Sequence, residues 1–200
     1  KKSVNNIMIA LYAFVIISFF ITIVDIIIRF PLQSEMIDYN DIQAIVINVL
    51  ALLIQIVSFA YGFVNAIRGM LSPKRMGAVI TAFFAATCIT GTGNMVIYSN
   101  VQIVLWWIVL IIPNIVGAVA TFAYFVLGKK SKIYSIIIYL VAIWGMFRII
   151  YSNYNLIVHA NQYLSMNSTV RLVLGIAIHC LVIYQTYVLW IKRQNAIDIS

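Results

Sequence analysis

Charge is what this 200-residue chain has least of: charged residues make up 9% of it, and five of them are acids. With 64% of residues hydrophobic and a mean hydropathy of +1.04, the polar side chains are too few to coat a water-soluble globule of this size. The chain belongs in lipid. Cysteine is nearly absent too. Cys88 and Cys180 both fall inside apolar stretches and form no CxxC pair, so neither a disulfide framework nor a thiol redox motif is supported, and both read as small buried apolar side chains. The two histidines, His159 and His179, are twenty residues apart with no paired acid, which is not metal-site spacing, and haem ligation across two helices lacks a second intramembrane histidine. Intramembrane proteolysis calls for paired aspartates, a Ser-His pair in a glycine-rich setting or HExxH, whereas Asp25 is the lone acid within an apolar stretch. The expectation is therefore a protein that is not an enzyme and needs no cofactor or metal.

What the chain does have is six long apolar runs, at about 5–30, 43–67, 77–98, 101–128, 133–152 and 170–191. Each is long enough for the roughly 20 apolar residues that a crossing needs, and too uniformly apolar for barrel strands, which alternate at every second residue. The expected fold is an all-α integral membrane protein, a bundle of six transmembrane helices forming one domain over 1–200. The first run follows Lys1 and Lys2 as a secretory signal would, but it is too long and ends at Arg29-Phe30-Pro31 with no small-residue cleavage site, so it reads as a retained helix. The start on Lys1 rather than methionine suggests that a short leader has been trimmed. No internal repeat, low-complexity segment or linker stands out. Asn167-Ser168-Thr169 fits a glycosylation sequon but abuts the sixth run, and reads as a chance match.

The gaps set the orientation. Lys1 and Lys2, then Arg68, Lys74 and Arg75, then Lys129, Lys130 and Lys132, then Lys192 and Arg193 account for ten of the thirteen basic residues, and they fall in the N-terminus, second gap, fourth gap and C-terminus. By the positive-inside rule these segments are cytoplasmic, both termini included. Glu35, Asp38 and Asp41 in the first gap and the polar stretch Tyr151 to Thr169 in the fifth then face outward. A net charge of +8 and a pI near 9.6 would suggest nucleic acid for a soluble protein; here they reflect anchoring to an anionic inner leaflet. The expected setting is multi-pass in the cell membrane. The lipid bilayer, a small-molecule solute and a membrane-protein partner are the expected contacts, with no nucleic acid.

Polar groups within spanning helices are costly in lipid and turn toward protein or water. In the first run Ser18, Thr22, Asp25 and Arg29 share a face, and Asp25 with Arg29 is an i,i+4 pair. In the second, Asn48, Gln55, Ser58, Gly62 and Asn65 form a polar stripe. The third carries Gly77, Thr81, Ala85, Cys88 and Thr92 on one face, which suits close helix packing. Its segment Thr90-Gly91-Thr92-Gly93-Asn94 weakens helix by roughly 1 kcal/mol per glycine, so it is expected either to open, with freed carbonyls lining a cavity or holding a cation, or to fray as a helix end. It is no phosphate loop, since no Gly-Lys-Ser/Thr follows. Pro113 is expected to kink the fourth run, with Asn114, Gly117, Thr121 and Tyr124 on one face beyond it. Trp106 and Trp107 stand near its outer end, one as an interfacial anchor and the other turned inward. Arg148 in the fifth run and Arg171 in the sixth read either as snorkelling to headgroups or as site residues, and His179, aligned with Arg171 and Gly175, reads as a hydrogen-bonded core histidine or a ligand-binding one.

Asp25, Arg29, Asn94, Arg148, Arg171 and His179 all fall in the outer halves of their runs. With Asn48, Gln55, Trp106 and Asn114 they are the candidate binding residues for an outward-facing pocket. Three arginines against one aspartate make the region net positive, which favours a solute bearing a carboxylate or phosphate. The expected function is a small transporter, or its substrate-binding subunit, for a small anionic or polar solute. In architecture this resembles the six-helix binding subunits of bacterial vitamin uptake systems; their Ala-x-x-x-Ala docking motif is absent, since Ala10 and Ala13 are one residue too close. The alternative is a non-transporting interaction protein, an immunity, peptide-sensing or assembly subunit, with Tyr151 to Thr169 as its contact surface.

Overall fold

Where side chains are this apolar, the backbone has to satisfy its own N–H and C=O groups, and helix does so within one segment. A computed structural model describes residues 2–33, 39–97, 105, 107–159 and 166–197, with side chains described for 6–24, 42–93, 95–97, 105, 108–151 and 172–192. Among the described residues there is helix and no strand. Six helices are long and apolar enough to cross a membrane: α1 Lys2–Gln33, α2 Tyr39–Ile67, α3 Pro73–Ile97, α4 Trp107–Val126, α5 Lys132–His159 and α6 Met166–Ile197. α4 is composite, a π-helical turn Trp107–Ile111, an α-helix Ile112–Thr121 and a second π-helical turn Phe122–Val126.

Each helix packs on the next, and α6 closes the ring on α1, while α3 reaches across to α6. Neighbours run antiparallel, as their pairings show. Tyr12 and Phe19 of α1 meet Gly62 and Phe59 of α2; Ile47 and Phe59 of α2 meet Gly93 and Phe83 of α3; Gly145 and Ile149 of α5 meet His179 and Gly175 of α6. The α2–α3 and α4–α5 loops therefore lie at one end of the bundle, with Arg68, Lys74, Arg75, Lys129, Lys130 and Lys132 at or beside them, and Lys192 is there too. α3 and α6 are the most buried helices and α2 the least. An aromatic core joins them, with Phe59 5.7 Å from Phe19 and 6.2 Å from Phe83 between ring centroids.

The loops at the lysine-bearing end follow from local chemistry. Gly69 takes φ +64°, which lets Met70 N–H reach Asn65 O at 2.8 Å and Gly69 N–H reach Ala66 O at 3.0 Å; this double closure of a helix end favours glycine. α3 then starts with Ser72 Oγ accepting from Arg75 N–H at 3.3 Å and Pro73 as its first residue, where the missing N–H costs nothing.

Two expectations are corrected. Tyr151 to Thr169 is not a loop along most of its length, because α5 runs on to His159 and α6 begins at Met166. Past Gly145 no glycine or proline interrupts α5, so the helix runs on past the apolar run 133–152. Nor does α3 open at Thr90 to Asn94: it stays helical to Ile97. Gly91 and Gly93 are instead points of close approach, where an added Cβ would lie 2.6 Å from Leu110 of α4 and 2.6 Å from Ile47 of α2. The packing that these notches permit offsets the helix propensity they lose. The small-residue face of α3 packs on α4, with Gly77 against Phe125 and Cys88 Sγ 3.9 Å from Ile111 O.

Candidate functional site

From the middle of the bundle toward the end opposite the lysines, α2 to α6 part around a hollow of about 170 Å³. α4 shapes one wall. Pro113 has no N–H to offer the carbonyl four residues back, and that carbonyl, Val109 O, accepts the Trp144 indole N–H from α5 at 3.0 Å. The wider π-helical turn just before the proline brings Val109, Pro113 and Asn114 to the hollow. Asn114 is buried and donates Nδ2–H to Leu110 O at 2.6 Å.

The α5–α6 crossing forms the opposite wall and depends on two glycines. A Cβ on Gly145 would collide with Nε2 of His179, and one on Gly175 would lie 2.6 Å from Cδ1 of Ile149. Each helix therefore seats a side chain in the other's notch. His179 is buried, 4% exposed, and donates Nδ1–H to Gly175 O at 2.6 Å, since a carbonyl can only accept. Phe83 of α3 meets the imidazole edge-on, ring centroids 5.4 Å apart. His179 is thus held on three sides. Arg148, one turn from Trp144 along α5, also lines the hollow and is half-buried. Among the described residues its guanidinium has no hydrogen-bonding or ion-pair partner; the five acids lie outside the described side chains.

Of the ten candidate residues, the structure brings Gln55, Asn114, Arg148 and His179 together around this hollow. Asn48 is not with them: it is exposed on α2. Ile47 fills the notch at Gly93, which turns the next residue about 100° away from α3. The polar stripe of α2 is therefore not one continuous lining. Ser58 Oγ donates to Ile54 O at 2.7 Å, and Asn65 belongs to the loop end. Asp25, Arg29, Asn94, Trp106 and Arg171 lie outside the described side chains. Phe83, Thr87, Trp144 and Gly145 also line the hollow and were not singled out from sequence. The signal was there for α5, where Val141, Trp144, Gly145 and Arg148 recur at i, i+3, i+4 and i+7. Among the described residues no three His, Cys, Asp or Glu side chains come together.

Comparison with known proteins gives no match, whether by family model, curated protein or solved structure. The site's chemistry therefore rests on its own residues.

Proposed function

We propose that the chain is a multi-pass protein of the cell membrane, with both termini cytoplasmic, that binds a small anionic or polar solute in this hollow as a transporter or its substrate-binding subunit. The orientation is supported by the basic residues gathered at one end of the bundle, which the positive-inside rule assigns to the cytoplasm. The hollow then lies toward the exterior. One observation carries the binding reading: Arg148, on an otherwise apolar spanning helix, lines the hollow without a described partner. A guanidinium at that depth is costly, and an anionic solute gives it the bidentate partner that its geometry suits.

The test is thermal unfolding of the whole chain in detergent against a panel of inorganic phosphate, sulfate, mono- and dicarboxylates, amino acids and neutral analogues. At least one anion should raise Tm, as a ligand of the native state must, and Arg148→Gln should abolish the rise. A panel with no effect at saturating concentrations overturns the reading.

A second reading, an interaction subunit, is favoured by a different observation. Trp144, Phe147 and Tyr151 stack along the exposed face of α5, with centroids 6.1 Å and 6.2 Å apart. Such a column suits a partner helix as well as lipid. If it binds one, a second chain should co-purify in constant ratio and be lost in Phe147→Ala.

A further inference from the structure

We infer that the solute is a small monocarboxylate whose remainder is apolar and about the size of a phenyl ring; this rests on the solute-binding reading and narrows it. The inference comes from which hydrogen-bonding groups around the hollow are already in use. Thr87 donates to Phe83 O at 2.9 Å, Asn114 to Leu110 O at 2.6 Å, Trp144 to Val109 O at 3.0 Å and His179 to Gly175 O at 2.6 Å. Four polar lining residues thus direct these donors to backbone carbonyls. What stays available as donor is the guanidinium of Arg148, the amide of Gln55 and the second Nδ2–H of Asn114, and of these only the guanidinium is charged.

The rest of the wall is apolar. Phe83, Val141, Ile149, Leu174 and Ile178 close it from α3, α5 and α6. One permanent positive charge meets one carboxylate, and a bidentate pair satisfies both groups. A dianion would leave its second charge without a counter-charge, against neutral amides and aliphatic side chains, where an unpaired charge is strongly disfavoured. Size sets the other limit. A cavity of about 150 Å³ accommodates benzene, so the hollow, at about 170 Å³, matches a phenyl ring or a short branched chain, whereas a fused bicycle or a long acyl chain would project beyond its walls. A free fatty acid, which shares the chemistry, would leave most of its tail outside these contacts and gain little from them.

The experiment is calorimetric titration of the whole chain in one detergent with acetate, isovalerate, benzoate, 2-naphthoate, octanoate, terephthalate, benzamide and inorganic phosphate, with protein-free micelles of the same detergent titrated to subtract partitioning. Benzoate or isovalerate should bind at least tenfold tighter than acetate, octanoate, terephthalate, phosphate or the neutral benzamide. Arg148→Gln should erase the preference of benzoate over benzamide. Leu174→Ala, which enlarges the wall without touching charge, should move the optimum toward 2-naphthoate; because this is a ratio between ligands, it survives a general loss of stability. Tightest binding of phosphate or terephthalate overturns the inference and leaves an anion site standing. Tightest binding of octanoate overturns it in favour of a lipid-derived acid. Benzamide equal to benzoate removes the anion from both readings, and no binding by any probe removes the site itself.

Discussion

Arg75 and Arg148 are both arginines on helices long and apolar enough to cross a membrane, and the contrast between their surroundings separates the two ends of this bundle. At the lysine-bearing end, Arg75 donates from Nη1 to Asn65 Oδ1 at 2.7 Å and to Met70 O at 2.8 Å, locking the α2–α3 loop to the helices that flank it. Deeper on the same side, Gln185 of α6 donates Nε2–H to the hydroxyl of Tyr12 on α1, and both residues are fully buried. Polar groups there hold elements together. Toward the other end, Arg148 faces a hollow in which no described acceptor bonds its guanidinium. The same residue type is a strut in one place and an open contact in the other, and the difference lies in whether a described acceptor receives its N–H groups.

The contrast can be broken most forcibly at the packed end. Gly62→Val drives a branched side chain into the ring of Tyr12, and should destabilise the bundle by about 3 kcal/mol, the upper range for overpacking. A normal Tm for that variant would mean that α1 and α2 are not tightly joined. Gly145→Ala pushes His179 out of its notch and away from Gly175 O. A loss of about 2 kcal/mol is expected, together with weakened ligand response, because the displaced imidazole moves into the hollow; unchanged unfolding and titration curves would refute the notch. Arg75→Gln removes charge-assisted bonds at a partly exposed position, so about 1 kcal/mol should be lost, read from unfolding in graded denaturant. Asn48→Leu should change stability by no more than about 0.5 kcal/mol, because the exposed amide has no partner among the described residues to lose. A large fall would place Asn48 in a contact, with a second copy or another chain.

Most of the architecture was legible in composition. Apolar runs gave the number of helices, because length and hydropathy alone decide whether a segment can span. The helix ends were harder to read, since α5 continues to His159 and α6 runs from Met166 to Ile197, past the apolar runs 133–152 and 170–191, and hydropathy is silent on where a helix stops. The candidate site was legible in part. Gln55, Asn114, Arg148 and His179 stand out as polar residues in apolar surroundings, and they do line one hollow. Asn48 stands out equally but faces outward, for a reason held in Gly93 on another helix. Periodicity also says nothing of satisfaction: Ser18 and Thr22 mark a polar face on α1, yet each donates to a carbonyl of its own helix at 2.9 Å. Trp144 escaped notice because its role depends on Pro113 freeing a carbonyl on the neighbouring helix.

The most direct test of an anion site at Arg148 is the Tm of the natural chain and of Arg148→Gln, each with and without saturating benzoate. The natural chain should be stabilised by benzoate and the variant should not, while the ligand-free variant should be at least as stable as the ligand-free natural chain, since no described partner is lost and a costly charge is removed. Equal benzoate shifts in both, or a variant that unfolds far earlier without ligand, would contradict this and make Arg148 a structural strut like Arg75.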